Sequence, residues 1–121
     1  MAIRVLVVDD SIFYRKIVSD ILKSLPDVEV VGTANNGKVA MSRVKSLKPD
    51  LLTLDVEMPE MNGLEVLEEI QKQNYDTDCL MISSLTVKGG EIAVQALSMG
   101  ALDVITKPDE ENYEANTQKL K

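Results

Sequence analysis

Apolar residues fall along this chain in short runs that alternate with longer amphipathic stretches, and most runs end on polar or acidic residues. Ile3-Arg4-Val5-Leu6-Val7-Val8 is almost wholly apolar and stops at Asp9-Asp10. A continuous apolar run of that length predicts a strand covered on both faces. Ser11 can cap the segment that follows, where Phe13, Ile17, Ile21 and Leu25 recur every four residues and Val18 and Leu22 widen the stripe. That spacing predicts a helix, stopped by Pro26 and Asp27. The unit then repeats. Further strands are predicted at 28–31, 51–54, 80–82 and 102–105. Helices between them are marked by Ala40, Val44 and Leu47, by Leu64, Leu67 and Ile70, and by Ile92, Ala96 and Leu97. Asn35-Asn36-Gly37 supplies a turn, and Pro49 and Gly100 close two of the helices. A last helix is weak, with only Tyr113, Ala115 and Leu120 to face a core. Either it is short and frayed or the chain is cut from a longer protein; the second is the expectation.

Strand–helix units in alternation argue for a parallel sheet with helices on both faces. Right-handed crossovers leave few topologies. The expected fold class is α/β: a doubly wound five-stranded parallel sheet in three α/β/α layers, with the flavodoxin-like order 2-1-3-4-5. A length of 121 residues suits one domain over 1–121, with its core at about 3–108.

Composition narrows the function classes. The chain is 45% hydrophobic, enough for a core without disulfides. Thirteen basic residues against twenty acidic give a net charge of −7, and no cluster of Lys and Arg is present to grip a phosphate backbone, so no nucleic-acid partner is expected. No apolar run approaches a membrane span, and the first strand begins too early for a signal peptide; the expected location is cytoplasmic. Cys79, inside Cys-Leu-Met-Ile, reads as a small buried hydrophobe. With no His in the chain, neither a Cys-His pair nor a Ser-His-Asp triad can be built.

In open parallel sheets, ligands bind outside the carboxyl ends of the strands. At those ends stand Asp9 and Asp10, Asp55, Ser83 and Ser84, and Lys107. Three carboxylates brought together repel: at ~4 Å and an effective dielectric of ~20 each pair costs roughly 4 kcal/mol. Such a site calls for protonation or a cation, and an oxygen-rich pocket suits Mg²⁺. A carboxylate so placed can act as a nucleophile toward phosphorus and form an aspartyl phosphate. The Lys107 ammonium would neutralise phosphoryl oxygens, and the Ser83 hydroxyl could donate to one of them. Each residue alone has a plainer reading. Asp at a strand end is often a turn or cap residue, the two serines open a loop, and a lone lysine is usually solvated. Met58 and Met61 are too soft to be ligands at a hard site. Four strand ends carrying matched chemistry together outweigh these plainer readings.

Val-Asp-Asp (8 to 10), Leu-Asp-Val-Glu-Met-Pro-Glu-Met-Asn-Gly (54 to 63), Ser83-Ser84, Gly100-Ala101 and Lys107-Pro108 resemble the motifs of bacterial response-regulator receiver domains. The resemblance covers roughly residues 3 to 108. It implies that Asp55 is the phosphoacceptor and that Asp10 and Asp55 bind Mg²⁺ directly. It also implies that the Glu57 main-chain carbonyl completes the protein ligands, and that Asp9 acts mostly through bound water. Ser83 then fills the switch hydroxyl position and Lys107 the phosphate-binding position, with a cis bond between Lys107 and Pro108. Leu54 to Pro59, Ser83-Ser84-Leu85-Thr86 and Gly100 to Pro108 are more narrowly similar to the receiver half of the chemotaxis protein-glutamate methylesterases. The implied phosphodonor is a chemotaxis-type histidine kinase, and the implied output is an esterase domain absent here. The segment itself is then no enzyme beyond its own phosphorylation and dephosphorylation.

Two departures from the pattern matter. Asn62 replaces the usual Asp, which a turn before Gly tolerates. Val104 stands where many receivers carry an aromatic switch residue, so readout is expected through the loop and helix after the fourth strand. A stand-alone receiver without an output domain is the alternative within this class. An aspartate-nucleophile phosphatase would place its nucleophile on the first strand. A flavodoxin would need a phosphate loop where Asp9-Asp10 stand, and more aromatics than 3%.

Overall fold

In the computed structural model, residues 2–83 and 89–107 are described. They form β1 (Ile3–Val8), α1 (Ile12–Lys23), β2 (Val28–Ala34), α2 (Gly37–Leu47), β3 (Leu51–Asp55), α3 (Gly63–Lys72), β4 (Asp78–Ser83), α4 (Gly89–Ser98) and β5 (Asp103–Thr106). The strands make one sheet in the order β2-β1-β3-β4-β5, every neighbouring pair parallel. This is the flavodoxin-like arrangement expected from the alternation of runs and stripes. Because all five strands point the same way, their carboxyl ends share one rim. The weak last helix and the Lys107–Pro108 bond fall outside the described residues.

The two faces of the sheet are filled differently. One face packs Leu6, Val8, Leu52, Leu54, Cys79 and Met81 against Ala40 and Val44 of α2, Val66, Leu67 and Ile70 of α3 and Ala96 of α4, all essentially sealed from solvent. Alternation along the strands sends Thr53, Leu80 and Ile82 to the other face. There, with Val18, Ile21 and Leu22 of α1 and Ile105 of β5, they line a wholly apolar cavity of about 210 Å³. Cys79 is buried as expected, and that burial pushes its thiol up to about 12, with Asp78 adding to the shift.

Helix starts follow the polar residues that announce them. Ser11 accepts from the Tyr14 amide at 3.4 Å and Asn36 from the Val39 amide at 2.9 Å. Asn62 and Glu65 form a reciprocal capping box at α3, which satisfies two otherwise orphaned amides. Asn62 therefore fits its position as a cap.

Some boundaries differ from expectation. Helix α1 stops at Lys23, not at Pro26: the Ser24 hydroxyl donates to the Ile21 carbonyl at 2.6 Å and its amide closes the last turn. Ile21 and Leu25, read as core, are 49% and 47% exposed, and Leu97 and Leu102 are also exposed. Strand β2 continues to Ala34 with a register shift opposite Val5/Leu6.

Candidate functional site

Strand β1 ends one residue before Asp9, and β3 ends on Asp55 itself. Val8 pairs with Leu54, so adjacent strands deliver the two aspartates to the same point of the rim. One carboxylate oxygen from each of Asp9, Asp10 and Asp55 lies within 4.8 Å of the other two. Asp9 and Asp55 are buried, and Asp10 faces solvent. Ser83 is the last residue of β4 and pairs with Thr106, so Lys107 follows directly. Its amide donates to the Ser83 carbonyl at 2.7 Å.

Lys107 is the counter-charge. Its Nζ lies 3.1 Å from Asp9 Oδ2 and 3.2 Å from Asp55 Oδ1, and it is 9% exposed. Burial pulls its pKa down, but Asp55 and Asp9 outweigh that and the net direction is upward. Asp9 Oδ1 also accepts from the Ser11 amide at 2.9 Å, and Asp55 Oδ1 from the Glu57 amide at 3.2 Å. Asp55 Oδ2 is buried and has no hydrogen-bond partner. Its carboxyl is pushed up to about 7, first by burial and then by repulsion from Asp9. Lys107 pulls the other way, and Asp10 adds to the rise.

One lysine does not balance this cluster, and a buried orphaned carboxylate oxygen carries a desolvation penalty. An oxygen-only donor set with one unpartnered oxygen fits a hard divalent cation such as Mg²⁺. Asp10 and Glu57 border the same open groove, about 500 Å³, with Met58, Pro59 and Asn62 along its wall. The Glu57 backbone is thereby placed beside the cluster.

The backbone here is tightly set. Gly63 donates its amide to the Val56 carbonyl at 2.9 Å, and a Cβ at Gly63 would collide with the Asp55 carbonyl oxygen. Only glycine lets α3 start this close to the phosphoacceptor candidate.

Three contacts escape a reading of strand ends. The Ser83 hydroxyl donates to Glu57 Oε1 at 3.2 Å, so the Glu57 side chain as well as its backbone belongs to the site. The Tyr14 ring lies 4.3 Å from Lys107 Nζ. Arg15 donates to the Asp9 carbonyl at 2.8 Å. The signal for Tyr14 was its place in the first turn of the helix that follows Asp10, in a chain with only one Phe and three Tyr. Val104 sits partly buried against the core. Ser84 and the rest of the loop after β4 lie outside the described residues.

Comparison with known proteins places the chain in a family. Residues 5–117 match the family described as response regulator receiver domain. A protein-glutamate methylesterase/protein-glutamine glutaminase of Desulfotalea psychrophila is 49% identical over 118 residues, covering 98% of this chain and 32% of that protein. The chain thus spans about a third of the length of that curated relative. The crystal structure of the response regulator domain of Thermotoga maritima CheB is 44% identical, with a TM-score of 0.84 over 99% of this chain and 92% of that one. A CheX-CheY-BeF3-Mg²⁺ complex from Borrelia burgdorferi is 30% identical, with a TM-score of 0.78 over 97% and 87%. No described helix is long and apolar enough to cross a membrane.

Proposed function

The chain belongs to the response regulator receiver domain family, and from that premise we propose that it is a phosphorylation-dependent switch whose phosphoacceptor is Asp55. The observation that carries this reading is the sealed Asp55 carboxylate. One oxygen is held by Lys107 and the Glu57 amide, and the other is unpartnered among Asp9 and Asp10.

An Asp55 oxygen attacks the phosphorus of a phosphohistidine. The P–N bond breaks, and the imidazole leaves with the bonding pair and takes a proton. Lys107 meets the phosphoryl oxygens as a cation already held at the site. The hydrogen bond from its backbone amide to the Ser83 carbonyl keeps the ammonium and the switch hydroxyl at neighbouring strand ends. The Ser83 hydroxyl, resting on Glu57, turns from that carboxylate to a phosphoryl oxygen. Asp10, Asp55 and the Glu57 carbonyl would hold Mg²⁺ directly and Asp9 through water; the ion supplies positive charge to the phosphoryl oxygens. The Mg²⁺ named for the Borrelia burgdorferi complex supports magnesium as the ion, and the three-aspartate cluster supports its place here.

The phosphodonor is a chemotaxis histidine kinase, and the output is a methylesterase domain in the full-length protein, in the cytoplasm. Identity to methylesterases about three times as long supports that partner. Phosphorylation would shift an existing two-state equilibrium that the output domain reads. The test is mass spectrometry after a small phosphodonor with Mg²⁺. The parent gains one phosphoryl group and Asp55→Asn gains none; uptake by Asp55→Asn would move the acceptor elsewhere.

A further inference from the structure

We propose that Arg15 and Arg43 form an oxyanion-binding site beside the phosphoacceptor, which receives an acidic group carried by the phosphodonor. The chain has three arginines, and two of them line one cavity of about 290 Å³ with Thr33, Asn35 and Val39. The third, Arg4, sits at the opposite end of the sheet and donates to the Lys48 carbonyl at 3.0 Å. Among the described residues no carboxylate lines the cavity, in a chain that carries −7 overall. A guanidinium presents a planar fork matched to carboxylate and phosphate oxygens.

The two arginines are set differently. Arg15 is partly buried and anchored, its guanidinium donating to the Asp9 carbonyl at 2.8 Å. Arg43, on α2, is exposed and makes no ion pair among the described residues. An anchored donor and an unengaged one, on helices either side of the β2 end, leave guanidinium hydrogens for an incoming anion. Asn35 and Thr33 add polar groups from the strand end. At roughly 30 Å³ per water, the cavity suits a partly hydrated oxyanion better than a drug-sized molecule.

Its position separates it from the reacting phosphoryl group. Ala34 pairs with Val8 and Val8 with Leu54, so the cavity lies two strand spacings, roughly 10 Å, from the start of the Asp55 loop. An anion seated there is a second negative group on whatever approaches. The rim itself is acidic, with Asp9, Asp10 and Asp55 together and Lys107 already engaged. Two flanking guanidiniums offset that repulsion for an anionic donor and set its register, an effect that weakens with salt.

This inference rests on Asp55 as acceptor only for its role, not for the anion site itself. Two experiments keep them apart. The first titrates the protein with inorganic phosphate against chloride at matched ionic strength and follows backbone amide NMR shifts. Saturable shifts are expected at Thr33, Asn35 and Arg43, weakened about tenfold in Arg43→Gln. The second compares phosphorylation rates from a histidine-phosphorylated protein donor and from a small phosphoramidate. Arg43→Gln is expected to slow the protein donor about tenfold and Arg43→Glu further, with the small donor within twofold of the parent; Arg15→Lys serves as a milder second variant. Slowing of the protein donor alone identifies its acidic side chain as the ligand. Phosphate saturation with no donor-specific effect identifies a free oxyanion. Absence of both overturns the site. Failure of every donor to modify Asp55 would overturn the acceptor assignment, while the phosphate titration would still decide this cavity.

Discussion

The two ends of the sheet solve the same problem in opposite ways. At the amino end, polar groups are paired locally. Thr77 Oγ1, buried, donates to the Pro49 carbonyl at 2.8 Å. Asp50 accepts from the Arg4 amide at 2.9 Å, and Lys48, with a left-handed φ of 49°, turns its carbonyl to the Arg4 guanidinium. At the carboxyl end, three carboxylates crowd together, one buried oxygen has no partner, and a single lysine serves two acids. An end that only has to be stable pairs these polar groups with one another. An end that has to accept a new charged group carries a deficit that the incoming group fills.

The sharpest break of that contrast is Asp55→Asn. It should abolish phosphoryl uptake by mass spectrometry while removing the buried repulsion, so urea denaturation near pH 8 should show no loss of stability. Lys107→Met comes next. It strands two buried acids without their cation and should cost about 3–5 kcal/mol, with the loss larger at pH 8 than at pH 5, where Asp55 can take a proton.

Acidity itself tests the deficit in the metal-free protein. Because the Asp55 carboxyl rises from 3.8 to about 7 on folding, the folded state holds a proton that the unfolded state has released. The stability linked to it is whole below about pH 4 and is lost as pH climbs through 7. The drop is bounded at about 4 kcal/mol, and Mg²⁺ should flatten the slope. A flat metal-free profile across that window would contradict it. Tyr14→Leu should cost about 1 kcal/mol through its contact with Lys107, read by thermal melts at matched pH. At the other end, Thr77→Val should lose a similar amount by leaving the Pro49 carbonyl unpaired, yet leave phosphoryl uptake at the parent's rate.

Strand order and the rim positions of Asp9, Asp10, Asp55, Ser83 and Lys107 were legible because each rests on a short-range rule. An apolar run ends where the chain leaves the sheet, and parallel strands put those ends together. What stayed hidden depends on side-chain direction across the fold. Glu57 reaching Ser83 and Tyr14 capping Lys107 join residues from different elements, and no periodicity encodes such pairs. The overextended α1 stripe has a local cause, since Leu25 matches a four-residue spacing that Ser24 cuts short. Arg43 belongs to no motif in the sequence, and only the cavity it shares with Arg15 singles it out.

The hydrogen bond from the Lys107 amide to the Ser83 carbonyl has a mechanical consequence. A hydroxyl drawn inward and an ammonium pulled toward fresh charge are joined by that bond, so neither travels without tugging on the edge strand β5 that leads into Lys107. News of the modification would reach β5 as a displacement of main chain, alongside the loop and helix after β4 through which a domain with valine at position 104 is expected to signal.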